Sequence, residues 1–129
     1  MKKLLLILML LSTVAFTRTI VEPDAITIYS AKSDGGAILD KKEAIFVFPN
    51  KPYNQIGIYN SNDEFIMFVQ MISILKQGWY FATVTGHDDV IDLMKEHDSL
   101  IIKSYNADKE QITFVLDVSN FTNDFNNLR

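Results

Sequence analysis

The residues best suited to chemistry in this 129-residue chain lie between His87 and Asp98. Imidazoles and carboxylates ligate metal ions and also serve as general acids and bases. The spacing favours neither use, because His87 and His97 are ten positions apart and so lie at opposite ends of one short predicted helix. Neither an HExxH zinc pattern nor an EF-hand loop occurs. A solvated helix with surface acids is the simpler interpretation, and no cofactor is predicted. The ionisable residues concerned are His87, Asp88, Asp89, Asp92, Glu96, His97 and Asp98, of which His87, Asp89 and His97 are the metal candidates.

Nucleophilic catalysis lacks its usual sequence signals. There is no GxSxG elbow, and the absence of cysteine excludes thiol catalysis, disulfide exchange and cysteine metal sites. We therefore predict that the protein is not an enzyme. A small hydrolase using the carboxylates of the 87–98 stretch remains the catalytic alternative.

Aromatic residues are the stronger candidates for a binding function. Strand alternation would expose several of them, and exposed Tyr and Trp are favoured anchors of protein interfaces. Trp79 and Tyr80 are neighbours in a predicted strand and must point to opposite faces. The alternative is that these residues cover the edge of the hydrophobic core, as exposed aromatic residues do in many small domains. The candidate interface residues are Tyr59, Trp79, Tyr80 and Tyr105.

The elements that must position these residues are clearest in the second half of the chain. A strand is predicted over Trp79–Val84, followed by a helix over Asp89–Glu96 that Asp88 or Asp89 can cap. Strands over Leu100–Tyr105 and Ile112–Val118 are predicted to form a hairpin joined by a polar connection. The expected core face of the last strand comprises Ile112, Phe114, Leu116 and Val118.

The first half of the chain is predicted to form further short strands. Arg18–Asp24 is interpreted as a polar lead-in, and Ala25–Ser30 alternates like a half-buried strand. Lys32–Gly36 predicts a turn. Ala44–Phe48 is almost wholly apolar and so should be covered on both faces, and Gln55–Asn60 predicts another strand.

The stretch Glu64–Leu75 does not settle on one period, and one long or broken strand is the favoured interpretation. Its aromatic and β-branched content favours a strand, whereas its length, and Ser61 followed by Glu64 like a capping box, would fit a helix. Phe121 and Phe125 could dock the tail as a short helical turn. The fold class predicted is mainly β (α+β), a small antiparallel sandwich or barrel-like sheet with one short helix before a C-terminal hairpin.

The N-terminus carries the pattern of a secretory signal peptide. Lys2 and Lys3 precede the unbroken apolar run Leu4–Leu11, and small residues follow. The apolar stretch is shorter than the roughly 20 residues that span a bilayer, although an uncleaved membrane anchor is the alternative. We expect a signal peptide over residues 1–19, cleaved near 15–19, and a single β-rich domain over 20–129 that is periplasmic or secreted, with no membrane insertion after cleavage.

Charge and composition argue against some kinds of binding partner. Hydrophobic residues make up 48% of the chain, which is typical of a folded domain. The formal net charge is −4, and loss of Lys2 and Lys3 would leave 16 acidic against 10 basic residues. This balance argues against nucleic acid, whose binding relies on Lys and Arg, and against an anionic membrane surface.

The C-terminal third resembles small exported bacterial proteins of the invasion-associated locus B type. The shared pattern is a short apolar-faced helix before a hairpin whose second strand is followed by a Phe, and this chain lacks the cysteines of that family and has Asn120 where a Gly is expected. The resemblance implies an exported β-rich binding protein and transfers no functional residue. The residues that carry it are Ile91, Met94, Leu100, Ile102, Phe114, Leu116 and Phe121.

The hypothesis that follows is an exported protein-binding module, an inhibitor or accessory factor of another exported protein. A self-associating envelope or structural protein is the alternative of a different class, and the small hydrolase is ranked below both. The sequence does not favour any particular oligomeric state.

Overall fold

The computed structural model describes residues 18–30, 35–52, 55–105 and 111–129, with the side chain of Tyr105 excepted. These parts of the chain form nine strands and two helices. The strands are β1 (Arg18–Val21), β2 (Ile26–Tyr29), β3 (Gly36–Leu39), β4 (Ala44–Phe48), β5 (Gln55–Tyr59), β6 (Phe65–Lys76), β7 (Trp79–Val84), β8 (Ser99–Tyr105) and β9 (Gln111–Asp117), and the helices are α1 (His87–Glu96) and α2 (Phe121–Asn126).

The strands form one antiparallel sheet in the order β1-β2-β3-β4-β7-β6-β5-β8-β9. The sheet curves until β9 contacts β2 and β3, so it is barrel-like and nearly closed. The mainly β fold, with a helix before a C-terminal hairpin, is thereby confirmed. Fully antiparallel strands allow a short chain to build this sheet with tight connections.

Strand β6 joins the two halves of the sheet. Its first half pairs with β5 as far as Gln70, and its second half pairs with β7 from Met71 onward. The strand favoured for Glu64–Leu75 is therefore confirmed, and the helical alternative is wrong. A tight turn at Gln77 and Gly78, both with positive φ, leads from β6 into β7.

The main core lies inside the curved sheet. The rings of Phe48 and Phe114 meet there edge to face, 5.5 Å between centres. Val90 and Met94 of α1 and Phe121 of α2 also belong to this core. The core face predicted for the last strand is confirmed, since all four of its residues (Ile112, Phe114, Leu116 and Val118) are buried.

A second apolar group lies on the opposite, outer face of the sheet. Tyr29, Ile38, Val47 and Phe81 form this outer cluster, and each is buried. The prediction that Ala25–Ser30 is half-buried was wrong, because Tyr29 and the other residues of β2 are buried on both faces. The prediction for Ala44–Phe48 is confirmed, with only Ile45 partly exposed among its five residues.

The N-terminal part of the described chain also corrects the prediction. Arg18–Val21 is not a lead-in but the strand β1, which pairs with β2 from Arg18 opposite Tyr29 to Val21 opposite Ile26. Cleavage after Ala15 or Thr17 would leave β1 whole. Cleavage after Thr19 would remove two of its four residues.

Helix α1 begins two residues earlier than predicted. Its N-cap is Gly86 and has no side-chain capping bond, while Asp88 and Asp89 lie within the first turn. Carboxylates there stabilise the helix through its dipole rather than through a cap. Helix α2 is the predicted short turn at Phe121.

Three predicted segments lie outside the described residues. They are residues 1–17 of the signal peptide predicted over 1–19, most of the turn Lys32–Gly36 and most of the connection before β9. Among the residues that are described, no helix has the length and apolarity needed to cross a membrane.

Candidate functional site

The turn between β5 and β6 is fixed by one side chain. The Oδ1 atom of Asn60 accepts hydrogen bonds from the backbone N–H groups of Asn62, at 3.0 Å, and Glu64, at 2.9 Å. The Asn60 amide nitrogen also donates to Glu64 Oε1 at 3.0 Å. Asn favours such turns because its short amide satisfies nearby backbone donors. Asp63 takes the left-handed conformation that closes the turn, with φ of 63°.

This turn places three aromatic rings on the outer face of the sheet. Tyr59 at the end of β5 packs edge to face on Phe65, with 5.5 Å between ring centres, and Phe65 lies 4.6 Å from Phe68. The pairing of β5 and β6 shifts register between Ile58 and Tyr59, so Tyr59 lies opposite Phe65. These three rings, together with Lys103 beside them, are called the aromatic surface below.

The absence of a side chain at Gly57 leaves room for the Tyr59 ring. A Cβ at Gly57 would lie 2.9 Å from Cε1 of Tyr59, closer than carbon atoms approach without displacement. Glycine leaves a gap on a strand face, and a neighbouring aromatic ring can fill it. Phe68 lies directly opposite Gly57 in the ladder, so the rings occupy space that a larger residue would take.

A charged pair adjoins the rings. The Nζ atom of Lys103 lies 4.4 Å from the centre of the Tyr59 ring and 2.7 Å from Oδ1 of Asp63. Lys103 is directly opposite Gly57 on the other side of β5. The aromatic surface therefore combines apolar rings with a paired cation, an arrangement typical of interface anchors with a polar rim.

The apolar surface continues along β6. The side chains of Phe65, Phe68, Ile72, Ile74 and Leu75 are exposed by 50%, 58%, 69%, 57% and 61%. Phe68, Ile72 and Ile74 are separated by even steps, so they lie on the same face of the strand. Leu75 lies opposite Tyr80 and so belongs to the other face. Single exposed apolar residues are ordinary, but several on one strand face are of the kind that marks interaction sites.

The four aromatic residues proposed from the sequence lie in different places. Tyr59 belongs to the aromatic surface. Trp79 packs against the outer cluster and Tyr80 against the main core, each half-buried, so they do point to opposite faces. Tyr105 ends β8, and its side chain is outside the described part.

Sequence reasoning missed most of the exposed apolar residues on β6. The signal was present, since the residues at positions 68, 72 and 74 share one strand face. It was hidden because the stretch also fitted a helical period. In a helix, Phe68 and Ile72 would still share a face through their i, i+4 spacing, but Ile74 would point to another side.

The metal candidates are not brought together. Nδ1 of His87 lies 3.0 Å from a carboxylate oxygen of Asp88, and its Nε2 lies 2.8 Å from the carbonyl oxygen of Asp40. Nδ1 of His97 lies 3.0 Å from the carbonyl oxygen of Leu93. Asp89 is exposed on the first turn of α1. Within the described ranges, no group of three or more possible metal ligands occurs.

Described residues line two depressions in the surface, among others. One of about 320 Å³ lies where β1 and β2 approach the end of β9 and α2, with Asp117 and Asp124 at its rim. Both carboxylates already accept local hydrogen bonds, from Ser119 and Asn120 respectively. The other, about 460 Å³, lies beside α1 and is lined partly by His87 and Lys95.

Comparison with protein-family models, with curated proteins and with solved structures found no match to this chain. The resemblance to the invasion-associated locus B proteins therefore stays a prediction.

Proposed function

We propose that the protein is an exported protein-binding module that acts as an inhibitor or accessory factor of another exported protein. The role is binding rather than catalysis. The observation that carries the proposal is the row of exposed apolar side chains on β6 beside the aromatic surface. The signal-peptide pattern and the acidic charge balance support an exported protein as the partner.

The aromatic rings of this surface are ordered before any partner binds, and this favours binding as much as their exposed apolar area does. Binding is weakened when mobile side chains must be fixed at the interface, because their conformational entropy is lost. Here Phe65 already packs between Tyr59 and Phe68, and the turn that places it is closed by the Asn60 amide. Rings that are ordered before binding are good anchors because little conformational entropy is lost when the partner arrives.

A second candidate is self-association through β6. Pairing with β5 ends at Gln70, so the segment Met71–Lys76 has a strand ladder with β7 alone among the described strands. Its residues are mostly apolar with high β propensity, which is the composition that favours pairing between edges. In that case two copies would join through their β6 strands.

The experiment is crosslinking capture with the chain 18–129, tagged beyond Arg129, in an extract of the exported compartment. The test variant is Phe68→Ser with Ile72→Ser. The matched control is Val21→Ser, which alters an apolar residue 49% exposed on β1. We expect one partner captured by the wild type and the control, and at least a tenfold loss with the test variant.

Either of two results would overturn the partner proposal. One is equal capture by all three proteins, which would place the partner elsewhere on the sheet. The other is recovery of the protein only with copies of itself, lost in the Phe68 and Ile72 variant, which would establish self-association instead.

A further inference from the structure

The aromatic surface continues from β5 onto β8 and β9. Ile101 of β8 lies directly opposite Tyr59, and Val115 of β9 lies directly opposite Ile101. On the other side of β5, Phe65 lies opposite Tyr59. Residues that face one another in neighbouring strands place their side chains on the same face of the sheet. Phe65, Tyr59, Ile101 and Val115 therefore form one line across four strands, called the cross-strand row below.

The two ends of the cross-strand row are open to solvent. Phe65 is 50% exposed and Val115 is 45% exposed, while Tyr59 and Ile101 between them are half-buried. The row spans about 14 Å, at about 4.8 Å per strand. The apolar surface thus runs in two directions from Phe65, along β6 and across the sheet to β9.

The charged residues around the cross-strand row are mostly acidic. In the stretches 55–70, 99–105 and 111–117 the basic residue is Lys103, and the acidic residues are Asp63, Glu64 and Asp117. Asp63 lies 2.7 Å from the ammonium of Lys103, so these two charges offset one another. The excess negative charge of this surface therefore belongs to Glu64 and Asp117.

These two carboxylates lie at opposite ends of the cross-strand row. Glu64 immediately precedes Phe65, and Asp117 lies two residues beyond Val115 on the same face of β9. Both side chains are exposed. They accept hydrogen bonds from a neutral amide and a neutral hydroxyl, which orient the carboxylates without cancelling their charge.

A partner that covers the cross-strand row must come close to both carboxylates. A carboxylate that loses water at an interface is costly unless an opposite charge replaces that water, and a like charge adds repulsion. Lys and Arg meet this need, because their apolar stems can lie along the rings while their charged ends reach the carboxylates. A second copy of this chain would present the same excess of carboxylates and is a poorer match.

We infer that the exported partner binds the cross-strand row through an apolar strip flanked by Lys or Arg side chains. The inference rests on the proposed function. It specifies the chemistry of the partner's surface and extends the contact from β5 and β6 to Ile101 and Val115.

The first test locates the contact on β9. A photoreactive phenylalanine analogue is placed in the chain 18–129 at position 115, with position 68 as the reference and position 92, exposed on α1, as the control. Each protein is irradiated in an extract of the exported compartment. We expect the same protein to be crosslinked from positions 68 and 115 and not from position 92. Mass spectrometry of the adducts should identify a partner segment with more Lys and Arg than Asp and Glu.

The outcomes separate this inference from the proposed function. An adduct from position 68 with none from position 115 would leave the proposed function standing and overturn the inference. An acidic partner segment in the adducts would overturn it as well. The absence of an adduct from both positions would contradict the proposed function and the inference together.

The second test removes the two charges and keeps the hydrogen bonds. Glu64→Gln/Asp117→Asn retains the oxygen atoms that accept from Asn60 and Ser119. The matched control is Asp92→Asn/Glu96→Gln, which removes two exposed acids from α1.

The readout is capture of the protein that is crosslinked from position 68. We expect the test variant to capture about fivefold less of it than the control at about 0.05 M salt, and a difference below about twofold at about 0.5 M salt, because salt screens exposed charges. Equal capture by the test and control variants at low salt would overturn the inference.

Discussion

The ammonium of Lys103 lies 4.4 Å from the centre of the Tyr59 ring, and Asp63 holds the same nitrogen at 2.7 Å. The three residues come from three separate segments, β8, β5 and the turn before β6. The cation therefore ties the turn to the neighbouring strand while it covers the ring. This contact links the stability of the sheet to the shape of the proposed binding surface.

A double-mutant cycle should detect this contact. We expect Tyr59→Leu and Lys103→Met to show a coupling free energy of about 0.5–1 kcal/mol, the usual range for a cation above a partly exposed ring. Urea unfolding of the two single variants and the double variant measures it. A coupling near zero would show that the ring and the cation are neighbours without an energetic interaction.

The Asn60 amide should matter more than its exposure implies. Asn60→Ala removes the acceptor of two backbone N–H groups, so we expect a loss of about 1–2 kcal/mol in the free energy of unfolding. Asn60→Asp keeps the acceptor and should lose less, although its charge opposes Glu64. Chemical denaturation of both variants measures the difference. Equal losses would mean that the hydrogen bonds to Asn62 and Glu64 do not stabilise the turn.

Two glycines should respond differently to alanine. A Cβ at Gly36 would clash with the backbone carbonyl oxygen of Ile28, whereas a Cβ at Gly57 meets only the Tyr59 side chain. Backbone in a ladder cannot move aside, so we expect Gly36→Ala to cost about 3 kcal/mol. Gly57→Ala should cost about 1 kcal/mol or less, because the ring can rotate away and the glycine entropy cost is relieved. Urea denaturation should give this order, and the reverse order would contradict the close approach of β2 and β3.

Tyr29 predicts a specific loss of stability in alkali. Its pKa is about 12 in the folded chain and about 10 in an unfolded one. Below pH 10 both states hold the proton. Between pH 10 and 12 the unfolded state releases it while the folded state does not, so the free energy of unfolding falls as the pH rises through this window.

Tyr29→Phe is the control for that loss. The variant should lack this part of the alkaline decrease. It should be as stable as the wild type or more so at pH 7, because the removed hydroxyl has no hydrogen-bond partner among the described residues. Urea unfolding at pH 8, 10 and 11 compares the two proteins. Parallel pH profiles would show that Tyr29 titrates normally.

Hydrophobic patterns over a few neighbouring residues were enough to predict much of the secondary structure. The strand Trp79–Val84 was predicted with the bounds that the structure has, because glycines at 78 and 86 bracket an apolar, aromatic run. The alternation of β9 likewise identified Phe114 and Leu116 as core residues. In both cases the information lies within a few neighbouring residues.

The pairing of strands could not be predicted in the same way. Strand β4 pairs with β7 rather than with β5, and β6 changes partner at Gln70. These choices depend on long-range packing. Tyr29 on β2 is buried, whereas Ile74 on β6 remains exposed on the same face of the sheet.

The binding surface was predicted only in part. Tyr59 was identified from its aromatic character. Phe65 and Phe68 were missed because they lie in the stretch whose period fitted both strand and helix, and a choice between those two determines which side chains share a face.

Photocrosslinking from defined positions on the sheet shows where the partner binds. A photoreactive phenylalanine analogue is placed in the chain 18–129 either at position 68, on the aromatic surface, or at position 21, on β1. Each protein is then irradiated in an extract of the exported compartment. We predict a covalent adduct with one protein from position 68 and none from position 21. Adducts of equal yield from both positions, or from position 21 alone, would contradict a partner bound at Phe68.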